Sequence, residues 1–254
     1  MAELDDAYAN MAHIPDGNRF PDLWATRSLH FLQEHRAQVV HTGPSDRARF
    51  LFWRGGPDLL VIVHGGYWLK FAPEEFAHLA GGALRAGWSV AMPAYPLAPA
   101  ARLPQIVQAL AGALEVMGNL APGRVHLTGH SAGGHLVARL LAPGMLPARI
   151  VARIARVVPI SPLSDLRPLL RTSMNADLKL DAQTAQDERP VFQPRPAVPV
   201  HVWVGGAERP VFLDQARWLA EAWTCPVTVD TGRHHFDVIE GLEHPSALLS
   251  AVIG

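Results

Sequence analysis

The sequence predicts an α/β fold: a mostly parallel central sheet of about eight strands with helices on both faces. Three observations carry that expectation. From about residue 48 onward, short apolar runs alternate with helix-length segments, which is the pattern of successive β-α-β units. The 254 residues are 49% hydrophobic and 18% charged, enough apolar surface for one large core and too much for a disordered chain. The 22 prolines and 21 glycines are dispersed and pool in no linker, so residues 1–254 read as one domain.

The elements follow in order. A helix is expected around Asp22 to His35. Gln38 to His41 and Ala48 to Trp53 read as an antiparallel pair split by the turn residues Thr42-Gly-Pro-Ser45. Leu59-Leu-Val-Ile-Val63 is a continuous apolar run, as expected of a buried strand. Pro73 to Ala86 reads as a helix, opened by Pro-Glu-Glu and stopped by Gly87. Strands at 88–92, 124–128, 154–160, 198–204 and 227–230 alternate with helices at 104–117, 132–141, 210–223 and 245–253. Residues 171–197 are the least periodic stretch and are expected to form a small lid or an excursion.

Composition also excludes functions. The 22 Lys+Arg and 23 Asp+Glu leave a net charge of −1, so there is no basic surplus to drive nucleic-acid binding. One cysteine, Cys225, cannot form an internal disulfide framework or a multi-cysteine metal cluster. It precedes a proline without flanking glycines and reads as packing, not as a nucleophile. Arg149, Arg153 and Arg156 read as a solvated basic face. The acidic N-terminus and the lack of a long apolar stretch predict a cytoplasmic protein that neither carries a secretory leader nor spans a membrane. The sequence calls for no metal or organic cofactor and is compatible with a homodimer.

Gly129-His130-Ser131-Ala132-Gly133 is the most informative stretch. It fits G-x-S-x-G and lies between a predicted strand and a predicted helix. A serine on such a corner is exposed on a tight turn, and the following helix aims its N–H groups and positive dipole end at the reaction centre. His64-Gly65-Gly66-Tyr67-Trp68 follows the strand 59–63. A His-Gly-Gly loop in that position, earlier in the chain than the serine, can supply main-chain donors to an oxyanion. The N–H groups of Gly66, Tyr67 and Ala132 are the expected donors. His64 reads as a loop anchor. Tyr67, Trp68 and Phe71 are candidates to stack an aryl group of the substrate.

A serine hydroxyl needs a base, and the base needs an orienting carboxylate. The histidine should follow the last strand, which favours His235, with His234 as the alternative. The acid should follow the preceding strand, and Glu208 does so in Gly205-Gly206-Ala207-Glu208. Asp165, after the strand 154–160, is the main rival. Asp214 falls within a predicted helix, and Asp237 is too near His235 in sequence for easy geometry.

With these residues placed, the chain resembles the α/β-hydrolases of the kynurenine formamidase (arylformamidase) group, near the hormone-sensitive-lipase-like esterases. The similarity lies in Leu4-Asp-Asp-Ala-Tyr8-Ala-Asn10, His64-Gly-Gly-Tyr-Trp68, Tyr95-Pro-Leu-Ala-Pro99 and Gly129 to His135. It continues in Ser161-Pro-Leu-Ser-Asp165 with Ser173-Met-Asn175, in Gly205 to Phe212, and in His235-Phe-Asp237. Two positions depart from the group: its acid is often Asp where this chain has Glu208, and a Ser-Pro pair is replaced by Arg189-Pro190. The resemblance makes Asp165 a structural residue that caps the following turn. It implies a serine hydrolase of small acyl groups, with N-formylkynurenine as the substrate and carboxylic esters or thioesters as the alternatives. A hydrolase fold that only binds is the remaining alternative, disfavoured because nucleophile and base are both present.

Overall fold

Continuous apolar runs place apolar side chains on both faces of a strand and are buried when helices cover each side of the sheet. In the computed structural model, which describes residues 2–254, this arrangement holds. Eight strands form one sheet: β1 (Gln38–His41), β2 (Arg49–Trp53), β3 (Leu59–Val63), β4 (Ser89–Pro93), β5 (Val125–His130), β6 (Ile154–Ile160), β7 (Val202–Gly205) and β8 (Val227–Asp230). Their order is β1-β2-β4-β3-β5-β6-β7-β8. β1–β2 and β2–β4 pair antiparallel, and the other neighbours pair parallel.

The helices are α1 (Phe20–Glu34), α2 (Gly81–Arg85), α3 (Leu103–Leu120), α4 (Ala132–Arg139), α5 (Ala148–Val151), α6 (Asn175–Leu178), α7 (Ala182–Asp187), α8 (Pro210–Trp223) and α9 (Ala247–Ile253). Alternation along β3 separates two cores. Leu59, Val61 and Val63 face one core with residues of α3, α4 and α8, such as Leu110, Leu136 and Leu219. Leu60 and Ile62 face the other, with Trp24 of α1, Ala83 of α2 and Val252 of α9. No helix among the described residues is long and apolar enough to cross a membrane.

Two local expectations change, and a third is narrowed to an excursion. Residues 73–86 are not one helix but a 3-10 segment, Pro73–Ala80, followed by the short α2. The chain there is pressed against the 3-10 turn at 238–242: a side chain on Gly82 would meet Leu242 O at 2.3 Å. The strand expected over 198–204 meets β6 at Val200 only as an isolated bridge to Val157 and becomes regular from Val202, because Pro159 of β6 has no N–H to continue the ladder. Residues 171–197 form α6 and α7, and none of them lines the large cavity described below.

Topology determines where a site can form. The chain leaves β3 for β4 on one side and returns to β5 on the other. The carboxyl ends of β3 and β5 therefore flank a switch point, the usual crevice of open α/β sheets.

Candidate active site

Ser131 sits at the corner between β5 and α4 with φ +55° and ψ −113°. Such a conformation costs on the order of 1–3 kcal/mol in a non-glycine residue and persists only when its surroundings impose it. Here they do. The Ser131 N–H donates to Ile160 O at 2.8 Å, and its carbonyl accepts the His135 N–H at 3.0 Å. The flanking glycines permit the packing. A side chain on Gly133 would lie 2.1 Å from Val63 O, and one on Gly129 would lie 2.3 Å from Gly133 O.

The loop after β3 lies directly against this corner: a side chain on Gly65 would sit 3.2 Å from Ser131 Cβ. The N–H groups of Gly66 and Tyr67 have no acceptor among the described residues. Ala132 opens α4, where the first N–H groups have no partner within the helix. His64 anchors the loop. Its Nδ1 donates to Gly65 O at 2.8 Å, and its ring stacks on Tyr95 at 4.4 Å. The Tyr95 hydroxyl in turn donates to His64 O at 2.9 Å. Burial pulls the His64 pKa down to about 3, so the ring stays neutral. Arg47, which the sequence did not mark, braces the far side: its guanidinium donates to Tyr95 O at 2.9 Å and Phe71 O at 2.7 Å.

His235 Nδ1 donates to Glu208 Oε2 at 2.5 Å. The side chains are 4% and 0% exposed, respectively. The other oxygen of Glu208 is also engaged: Oε1 accepts the Gly205 N–H at 2.8 Å and the Ser161 hydroxyl at 2.5 Å. Ser161 was missed as a functional candidate. Its position was legible, since it directly follows β6, next to the strand that leads to Glu208, but its left-handed turn (φ +47°) was not. His235 packs on Phe212 at 4.2 Å and on His130 at 4.6 Å. Burial holds His130 well below the ordinary histidine range, so it stays neutral beside His235.

The rival assignments lie elsewhere. Asp165 is paired with Arg167 through two 3.0 Å bonds to the guanidinium Nε and accepts the Arg167 N–H at 3.1 Å. It therefore closes its own turn. Asp214 pairs with Arg217 on the surface. His234 Nδ1 accepts the N–H groups of Phe236 and Asp237, and Asp237 caps the His234 N–H at 2.6 Å.

Ser131 and His235 face one cavity of about 690 Å³, without a direct hydrogen bond between them. Such pairs often tighten only when substrate is bound. Gly65, Gly66, Tyr67, Phe71 and His130 also line it. Trp68 does not, contrary to expectation. Its side chain is fully buried, with its edge on His135 at 5.0 Å, because the turn that presents Tyr67 points the next residue into the core. The cavity's other wall is N-terminal: Tyr8 to Ala12 and Ile14, with Asp16, Gly17, Asn18, Pro21 and Trp24. This strap is tied down by Tyr67, whose hydroxyl donates to Tyr8 O at 2.8 Å, and by Arg209 on Asp6 at 2.7 Å. Its lack of periodicity left no sequence signal for a covering role.

A family model described as alpha/beta hydrolase fold matches residues 60–244. Kynurenine formamidase of Drosophila melanogaster is 27% identical over 201 residues, covering 72% of this chain and 67% of that protein. Kynurenine formamidase of Salmo salar is 27% identical over 136 residues, 52% of this chain and 46% of that protein, so the match spans about half the relative's length. A crystal structure from Silicibacter sp., named as a candidate thioesterase, superposes with a TM-score of 0.97 at 48% identity and full coverage of both chains. A Pyrobaculum calidifontis esterase shares the fold at a TM-score of 0.70 and 17% identity, covering 92% of this chain and 89% of its own. The match over residues 60–244 shows that the chain belongs to the alpha/beta-hydrolase fold family.

Proposed function

We propose that this hydrolase works through an acyl-enzyme on Ser131 and cleaves small acyl groups from aryl-bearing substrates, N-formylkynurenine-like formamides first among them. The observation that carries the reading is the buried Glu208–His235 hydrogen bond, facing the same cavity as a serine strained onto a strand–helix corner.

In this mechanism Ser131 Oγ attacks the carbonyl carbon while His235 Nε2 takes the hydroxyl proton. Glu208 holds the ring in the tautomer that leaves Nε2 free and stabilises the imidazolium that forms. The oxyanion is held by the N–H groups of Gly66, Tyr67 and Ala132. Removing one such donor typically costs about 3 kcal/mol of transition-state stabilisation. The C–N bond then breaks as His235 returns its proton to the leaving nitrogen. Water, deprotonated by His235, releases the acyl group as a carboxylic acid. Tyr67 and Phe71 flank the aryl portion, and the cavity has the size of an ordinary small-molecule site.

The kynurenine formamidase relatives support the formamide substrate, and the full-length 48% likeness to a candidate thioesterase supports an acyl thioester as the second reading. One experiment tests both. The kcat/KM values for N-formylkynurenine, an aryl acetate and a short-chain acyl thioester are measured with wild type and Ser131→Ala, alongside labelling by a fluorophosphonate. The expected result is preferential turnover of the formamide, with labelling and turnover both lost in Ser131→Ala. A thioester preference of orders of magnitude replaces the formamide reading. An adduct that survives Ser131→Ala refutes the serine mechanism.

A further inference from the structure

We infer that Asn10 is a specificity-determining residue whose carboxamide hydrogen-bonds the leaving nitrogen of the substrate, so that the site favours amides over the matching esters. This rests on the acyl-enzyme reading above and deepens it.

Asn10 is 5% exposed, and no hydrogen bond engages its carboxamide; Oδ1 is buried without a partner. Its place is nevertheless rigid. The Asn10 N–H donates to Tyr8 O at 3.1 Å, the same carbonyl that the Tyr67 hydroxyl holds. Gln215 Nε2 donates to the Tyr8 hydroxyl at 3.2 Å. A buried carboxamide oxygen held in place without a donor is unfavourable unless something outside the chain completes it.

The position says which group that is. Behind the large cavity lies a smaller one of about 230 Å³, lined by His13, Glu208 and Arg209 among others. Three residues line both cavities: Asn10, Ile14 and His235. Asn10 therefore shares a wall with the histidine that must protonate the leaving group. A leaving nitrogen delivered to His235 passes beside Asn10, and its N–H is a donor that the carboxamide oxygen can accept. Accepting that N–H turns the nitrogen lone pair toward His235. An ester oxygen or thioester sulfur has no hydrogen to offer, so the same contact does little for it.

The test uses a ring-substituted formanilide and the matching aryl formate, with wild type, Asn10→Leu and Asn10→Ala. Formanilide kcat/KM is expected to fall roughly 10- to 100-fold in the variants. Formate-ester kcat/KM should fall less than about threefold, so the amide-to-ester ratio collapses. A structural role would lower both together and leave the ratio unchanged, which overturns the inference. A wild type that hydrolyses the ester but not the formanilide also overturns it, while leaving the serine mechanism standing. Hydrolysis of neither substrate by wild type overturns the inference, and fluorophosphonate labelling of Ser131 in the same preparation then separates that failure from a failure of the serine mechanism. Should Asn10→Leu not fold, Asn10→Ala alone decides the ratio.

Discussion

Replacing Glu208 by Gln isolates the carboxylate's contribution with almost no change in shape. The outcome follows from the three donors around it. Gly205 N–H and Ser161 O–H both point at Oε1, at 2.8 Å and 2.5 Å. The Gly205 N–H cannot turn away, so an amide NH2 placed there would meet a donor. The glutamine must therefore present its oxygen to Gly205 and its NH2 to His235. That NH2 donates to Nδ1, forces the hydrogen onto Nε2, and removes the lone pair that would accept the serine proton. Wrong-tautomer substitutions of this kind lower kcat by about 10⁴, close to 5 kcal/mol of barrier. The assay is kcat and KM on a chromogenic aryl ester, with thermal melting as a folding control. KM should change little. Glu208→Asp shortens the reach by one C–C bond, ~1.5 Å, so the carboxylate cannot hold Gly205, Ser161 and His235 together, and partial activity is expected. Loss of less than tenfold in Glu208→Gln refutes the reasoning. So does Asp165→Asn losing as much activity with its fold intact.

Ser161→Ala removes one of the two donors on Oε1 and should lower kcat about tenfold with KM unchanged, because a hydrogen bond to a charged group is worth roughly 1.5–3 kcal/mol; unchanged kcat would deny Ser161 a positioning role. Trp68→Ala should destabilise by about 3–5 kcal/mol in urea unfolding without altering the preference among acyl substrates, since the ring fills core and lines no part of the cavity. Stability should also fall on acidification. His64, His78 and His135 are each pulled down by burial to about 3, whereas their unfolded rings bind protons near 6.5. Their contribution is complete above that unfolded value and is lost as pH falls toward about 3, each ring costing up to about 1.4 kcal/mol per pH unit. Urea midpoints that stay flat from pH 7 to pH 5 would contradict this.

The sequence by itself determined the sheet and the side chains that gather at its rim. The run 59–63 reads as buried strand because five apolar residues bounded by turn residues are too few for a core helix, and Gly129 to Gly133 is readable because local sterics demand glycine on either side of a strained serine. The order of loops along the chain picked out Glu208 and His235, since parallel β-α units place every βα loop on the same edge. Which acid reaches the histidine was another matter. Asp165 and Glu208 follow neighbouring strands, and only the positions of Arg167, Ser161 and Gly205 separate a turn-capping carboxylate from an orienting one. The direction of Trp68 and the covering strap from Tyr8 to Trp24 were likewise decided in three dimensions. Both depend on contacts made across more than fifty residues of chain, such as Tyr67 on Tyr8, and non-periodic segments carry no local record of what they will touch.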